Sequence, residues 1–209
     1  METIKPLMLD VPSELGTARL KLRVPRAGDG PIIAPAAQES LAELKAWMPW
    51  AKDDYGEKEA EEWARRAVAT FLTRERCEYV IFARDGGRHL GNLGMFNFDW
   101  TVPRCEIGYW IRTADTGRGY ASEAVGALLE MGRGLKMRRF QIQSDADNRK
   151  SRRVAERAGF ELEGILRDFV RRPDQSIGSI CVYSLLVTPT DSSPFPSRAS
   201  GRNKCSFGA

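Results

Sequence analysis

Hydrophobic positions along the chain change period several times, and each change marks an element. Over residues 18–24, Leu20, Leu22 and Val24 alternate with polar neighbours, the two-residue period of a half-buried strand. Asp29-Gly30-Pro31 then opens a helical region carrying Ile33, Ala36, Leu41 and Leu44. Across residues 57–74, Ala60, Trp63, Ala64, Ala67 and Phe71 fall on one helical face with charges opposite. Strands dominate next. Residues 79–83, 90–98 and 105–112 predict an antiparallel meander, and Asp85-Gly86-Gly87 carries the Asp-Gly hairpin signal at its first turn. A helix to about residue 137, a strand over 140–145, a helix over 148–158 and strands over 161–170 and 177–187 complete the pattern. The expected architecture is α/β, a mixed twisted sheet flanked by helices.

One junction in this pattern carries chemistry. Asp115-Thr116-Gly117-Arg118-Gly119-Tyr120-Ala121 sits where an extended segment turns into the amphipathic helix of Val125, Leu128 and Leu129. Glycines let the backbone approach a ligand closely, and the first N–H groups of a helix point outward along the positive end of its dipole. That arrangement suits an anion such as a cofactor phosphate. A Walker loop would need Gly-Lys-Ser/Thr, and a dinucleotide fingerprint would need G-x-G-x-x-G opening a βαβ unit; neither is present. A glycine-rich turn that only starts a helix fits the same residues.

Read as Thr116-Gly117-Arg118-Gly119-Tyr120-Ala121, the junction resembles motif A of the GNAT superfamily of acyl-CoA N-acyltransferases, Gln/Arg-x-x-Gly-x-Gly/Ala. Thr116 departs from the pattern at the first position, while a cradle of main-chain N–H groups does not depend on that side chain. Other segments resemble the RimJ/RimL-type branch, whose named members acetylate N-terminal amines of ribosomal proteins. They are Leu15-Gly-Thr-Ala-Arg-Leu-Lys-Leu-Arg23, Ser40 with Leu44 and Trp47-Met-Pro-Trp50, Cys105-Glu-Ile-Gly-Tyr-Trp-Ile111, and Asn148-Arg-Lys-Ser151 running to Ala158-Gly-Phe160. The resemblance spans residues 15–187 in order. It implies the GNAT fold, with a mixed, mostly antiparallel sheet, and acetyl-CoA as co-substrate without a metal. Residues 1–14 are then an N-terminal extension, and residues 188–209, rich in Ser, Pro and Gly, are expected to be disordered.

Composition narrows the setting. The 209 residues, 42% hydrophobic and 29% charged, supply one core and fall within the size of a single domain. No apolar run is long enough to cross a bilayer and Met1-Glu-Thr-Ile-Lys5 lacks a signal peptide's apolar core, so a cytoplasmic location is expected. Cys77, Cys105, Cys181 and Cys205 are scattered without C-x-x-C pairing and read as reduced thiols; with His89 the only histidine, no metal site is expected. The net charge of +4 is partly in the tail, where Arg198, Arg202 and Lys204 face Asp191 alone. The remaining basic residues are interleaved with acids, which argues against nucleic acid and leaves a solvated helix face or a screen for coenzyme A phosphates.

Moving an acetyl group from a thioester to an amine needs an uncharged amine, donors for the developing oxyanion and a proton for the departing thiolate. The resemblance places the pantetheine arm beside the strand of Glu106 to Thr113, making the main-chain N–H groups near Tyr109, Trp110 and Ile111 the oxyanion donors. Gly108 inside that strand marks a bulge or a close approach. Glu106 shares a strand face with Gly108 and Trp110 and is the candidate base; pairing with Arg104 is the alternative. The usual acid of the superfamily, a tyrosine four residues before the Gly of the Gly-Phe pair, is Ala155 here. Ser151 is the branch's alternative acid, or else part of a helix cap with Asp147 or Asn148. Asn148 would hold the cofactor's amide groups or the helix start. Trp47 and Trp50 match the branch's acceptor wall, at least one of them being expected in the core. The acceptor is expected to be a protein or peptide N terminus; a small amine, such as a polyamine or antibiotic, stays open, as does a non-catalytic acyl-CoA-binding module. The protein is expected to be a monomer or homodimer.

Overall fold

The computed structural model describes residues 4–187. Eight strands form one sheet: β1 (Glu14–Gly16), β2 (Leu20–Arg23), β3 (Cys77–Ala83), β4 (His89–Asp99), β5 (Arg104–Ile111), β6 (Arg139–Asp145), β7 (Glu161–Arg171) and β8 (Ile177–Leu186). Their order is β1-β2-β3-β4-β5-β6-β8-β7. Every pair is antiparallel except β5 with β6, which run parallel and share only the rungs Arg104–Arg139, Cys105–Phe140 and Glu106–Gln141. Beyond Glu106 the two strands part, and β5 continues paired to β4 alone. The expected meander and its glycine turn are present, with Gly86 and Gly87 both at positive φ.

Alternation along the strands gives the sheet two faces. On one, Tyr79, Ile81, Met95, Ile107, Phe140 and Ile142 are buried with Val125 and Leu128 of α4 (Tyr120–Gly134). Gly132 lets α4 approach closely, since a Cβ there would lie 2.4 Å from the Phe140 ring. On the other face, α1 (Gly30–Glu39) and α3 (Glu57–Thr73) pack Ile33, Ala37, Ala60 and Ala64 with Val80 and Trp110. Truncating a buried aromatic such as Phe140 to Ala costs about 3–5 kcal/mol in cores of this kind. The helical region read as one run breaks at Ser40 into α1 and a short α2 (Leu41–Leu44), because the Ser40 hydroxyl donates back to the Ala36 carbonyl at 2.7 Å. Strand β1 was not expected; three residues are too short a run to show a period. Last of the helices, α5 (Arg149–Arg157) stands beyond the end of β6. Among the described residues no helix is long and apolar enough to cross a membrane. The tail expected to be disordered, with Cys205, lies outside the described residues.

Candidate active site

The glycine loop folds as an open cradle. Gly117 and Gly119 adopt φ of 77° and 82°, a left-handed conformation that a side chain would strain, and Gly119 is the N-cap of α4. A Cβ on Gly117 would meet nothing within 4 Å, and one on Gly119 only Arg19 Nη2 at 3.5 Å, so the space above the loop is open. No side chain caps the helix; Glu123 N–H is the first to bond within it, to Gly119, leaving the N–H groups of Tyr120, Ala121 and Ser122 for a ligand. Thr116 turns its hydroxyl inward, onto the Thr113 carbonyl at 2.9 Å. Arg118 is exposed and lies 3.8 Å from Asp115, a fully buried carboxylate that also takes two hydrogen bonds from Arg88.

A contact that sequence reasoning missed braces the loop from outside. Arg19 donates to Glu123 in the first turn of α4 (Nε to Oε2, 2.6 Å) and to the Arg118 carbonyl at 3.0 Å, and stacks 4.7 Å from the centre of the Tyr120 ring. Glu123 is an anion at the positive end of a helix, and these hydrogen bonds outweigh burial in holding its carboxyl below the usual range. The pair therefore fixes the loop without leaving an uncompensated negative charge beside the cradle. Arg19 belongs to the Thr-x-Arg-Leu stretch, which was the available signal.

Where β5 leaves β6, its main chain is exposed on one side. Arg112 N–H donates to the Leu90 carbonyl of β4 at 2.7 Å, so by alternation Trp110 also faces β4, while Tyr109 and Ile111 turn their N–H groups into the opening. Of the three expected donors, Tyr109 and Ile111 have N–H groups that face the opening, while the N–H of Trp110 faces β4 and its indole is buried against Trp50 and the single histidine. The Thr113 N–H donates to Ser40 Oγ at 3.0 Å, while the Thr113 hydroxyl is buried without a hydrogen-bond partner among the described residues. The close approach expected at Gly108 is real but is made by a side chain, because the Phe96 ring would lie 2.9 Å from a Cβ there. His89 is in the core, Nε2 on Asn92 Oδ1 at 2.9 Å, and burial pushes its pKa down.

Glu106 sits at the last shared rung, on the sheet face opposite α4. Arg104 does not pair with it but bonds Asp99 at 3.3 Å; Glu106 instead accepts from Asn97 Nδ2 at 3.1 Å. Asn97 can reach it because β4 is irregular between Phe96 and Asp99 and Asn97 takes a left-handed φ of 53°. Burial pushes the Glu106 carboxyl up, and the Asn97 hydrogen bond and Arg76 charge pull only part of the way back. The carboxylate opens into a cleft of about 160 Å³ lined also by Asn97, Arg104, Arg139, Gln141 and Gln143. Trp47 is partly buried, whereas Trp50 is exposed and its ring lies 5.9 Å from that of Trp110, on the Glu106 side of β5.

Across the opening, Asn148 caps α5, its Oδ1 accepting from Ser151 N–H at 3.0 Å. The Asn148 side chain thus fills the helix-start role open to it, through its carbonyl oxygen. The Ser151 hydroxyl lies 3.1 Å from that of Tyr109 on β5, so the two candidates for the donor side meet.

These features, an uncapped helix start beside a splayed parallel pair with a half-buried carboxylate at the fork, are set in an α/β fold. The family described as "Acetyltransferase (GNAT) domain" matches residues 19–161, and the chain belongs to it. The chain is 29% identical over 116 residues to the uncharacterized N-acetyltransferase p20 of Bacillus licheniformis, covering 55% of this chain and 65% of that protein. It is 38% identical over 79 residues to the ribosomal-protein-serine acetyltransferase of Escherichia coli, covering 36% and 44%. Matches to these two thus span less than two thirds of their lengths. Among solved structures, RimL ribosomal L7/L12 α-N-protein acetyltransferase with coenzyme A superposes at a TM-score of 0.77, 21% identity, over 85% of this chain and 97% of that one. Microcin C7 self-immunity acetyltransferase MccE, with acetyl-CoA and AMP, superposes at 0.76, 20% identity, over 82% and 94%.

Proposed function

We propose that the protein transfers an acetyl group from acetyl-CoA directly to the α-amine of a protein or peptide N terminus, in a ternary complex. The observation that carries this reading is Glu106, a carboxylate raised by burial at the fork of β5 and β6, facing a small polar cleft. In this reading the cradle of Gly117, Gly119, Tyr120 and Ala121 takes the pyrophosphate, and the free edge of β5 takes the pantetheine arm as an added strand. The amine nitrogen attacks the thioester carbonyl, Tyr109 and Ile111 N–H groups receive the oxyanion, and Glu106 takes the amine proton directly or through water. Collapse of the intermediate breaks the C–S bond and leaves the electron pair on sulfur, where Ser151 meets it.

An α-amine suits a single base. Its reference pKa near 8 leaves roughly a tenth neutral at pH 7, whereas a lysine near 10.4 leaves well under a hundredth. The cleft also suits the end of a chain: at about 160 Å³ it is smaller than the pockets of roughly 300–1,000 Å³ that enclose drug-sized ligands. Likeness in sequence to the ribosomal-protein-serine acetyltransferase supports a protein acceptor. The fold shared with MccE keeps a small-molecule amine as the second reading.

Acetyl-CoA labelled in the acetyl group, offered with peptides beginning Ser, Ala or Thr, free or blocked at the N terminus, tests this. Label should appear on the α-amine of the free peptides only. Label on lysine side chains, or on a free polyamine or antibiotic alone, would sink the N-terminal assignment and keep the acyltransferase one.

A further inference from the structure

The side chain of Tyr109 crosses the opening. It leaves β5 beyond the last rung shared with β6, and its hydroxyl reaches Ser151 on α5, 42 positions away, at 3.1 Å from both Ser151 Oγ and the Ser151 carbonyl oxygen. A phenol has one proton, so these two acceptors compete for it. When the proton goes to the carbonyl, the Ser151 hydroxyl can donate to the phenol oxygen and is spent there. When it goes to Ser151 Oγ, the serine proton is released to point elsewhere. Neither partner can drift, because Ser151 is held by the Asn148 cap at 3.0 Å and Tyr109 is packed against the core.

We propose that Tyr109 is the positioning residue for Ser151: it swings its single proton from the Ser151 carbonyl to Ser151 Oγ as the thioester breaks, turning the serine O–H onto the departing thiolate. This inference rests on the acetyl-transfer reading above. The phenol is not consumed. It stays protonated throughout, consistent with burial pushing its pKa up to about 12. The sulfur keeps the electron pair of the C–S bond as a thiolate hydrogen-bonded to Ser151 and takes its proton from solvent, while the amine proton leaves from Glu106 to solvent, so one proton is lost and one gained. A donor polarised by a second hydroxyl is a stronger donor to an anion, which is the effect required at sulfur.

The test is the ionisation of the bound coenzyme A thiol, followed by the ultraviolet absorbance of its thiolate as pH is raised. In the wild-type protein the thiol should titrate below free coenzyme A. Tyr109→Phe, which deletes one oxygen, should move it back up by about one unit, a tenfold loss of thiolate stabilisation. Ser151→Ala should do the same, and the double variant should go no further, since the two act as one unit. Affinity for coenzyme A at acidic pH, where the thiol is neutral, should not change in Tyr109→Phe. A thiol titration unaltered in a Tyr109→Phe variant with wild-type melting overturns the proposal, as does equal loss of affinity at acidic and alkaline pH, the signature of a packing role. A wild-type protein that bound no coenzyme A would remove the acetyl-transfer reading as well; normal binding and turnover with an unmoved thiol removes this one alone.

Discussion

The two ends of the site are built from different materials. At the α4 end, the geometry is main chain: two left-handed glycines, a helix start without a side-chain cap and three N–H groups facing open space. At the Glu106 end it is side chain, drawn from β4, β5, β6 and the segment after α2. The first end needs a short stretch of sequence to be right and tolerates most side chains around it. The second needs four separate elements to arrive together, so its chemistry depends on the fold as a whole. Substitutions should accordingly act through the backbone on the donor side and through individual side-chain contacts on the acceptor side.

The largest effect is expected at Gly119. Gly119→Asp puts a carboxylate and a strained backbone where the phosphates would lie, and coenzyme A affinity by calorimetry should fall at least about a hundredfold, since an unpaired charge at such a site costs several kcal/mol. Affinity retained in a folded variant would remove the cradle from the site.

Next comes the base. Glu106→Gln should lower turnover by about 10²-fold or more with coenzyme A affinity nearly intact, and the deficit should shrink at alkaline pH, where more amine is already neutral. Stability should move the opposite way. A carboxyl raised in the folded protein contributes stability when protonated and loses it as pH rises through its folded pKa. Gln mimics the protonated form, so the variant should melt above wild type at neutral pH and converge with it below about pH 4. A rate defect constant from neutral to alkaline pH would mean that Glu106 only orients the strand.

A smaller effect separates the carboxylate from its neighbour. Asn97→Ala and Asn97→Gly both delete the hydrogen bond that holds the Glu106 pKa down, so the acid limb of kcat/KM should move to higher pH by less than about one unit in each. Asn97→Ala should also be less stable than Asn97→Gly, by about 1 kcal/mol, because alanine resists the left-handed φ that glycine accepts. Equal limbs in wild type and both variants would detach Asn97 from the base. The smallest change belongs to Trp50→Ala: its half-exposed ring touches Trp110 and Tyr55, contacts of about 0.5–1.5 kcal/mol, so the acceptor KM should rise a few-fold with acetyl-CoA binding unaltered. A change in the cofactor's affinity instead would move Trp50 to the other end.

This difference also explains what could be read from the chain. Gly117 and Gly119 announce themselves because conformation at a helix start is local, and Asn148 is legible as a cap for the same reason. The strands of the meander were equally plain as apolar runs either side of the Asp85-Gly86-Gly87 turn, with β3 and the first part of β4 buried almost throughout. Asn97 was not, since nothing in Phe96-Asn97-Phe98 reveals that the strand breaks register there and aims an amide at Glu106. Which way the N–H of Trp110 points was hidden too, because it depends on the partner to which β5 is bonded. The Tyr109–Ser151 contact joins a strand to a helix through the fold alone.

The three rungs between β5 and β6 have a mechanical side. Among the described residues they are the only strand ladder tying the five-stranded block β1–β5 to the three-stranded block of β6, β8 and β7, extended at one end by the Arg138 and Arg139 N–H groups donating to the Pro103 carbonyl. A molecule lodged in the fork would act as a splint, replacing absent ladder bonds on the β5 side. Hydrogen exchange should then slow at the amides of Tyr109 and Ile111 when coenzyme A is added, and unfolding should shift by about 2.7 kcal/mol at a hundredfold excess over Kd. Local opening of the protein without coenzyme A should accordingly start at this fork.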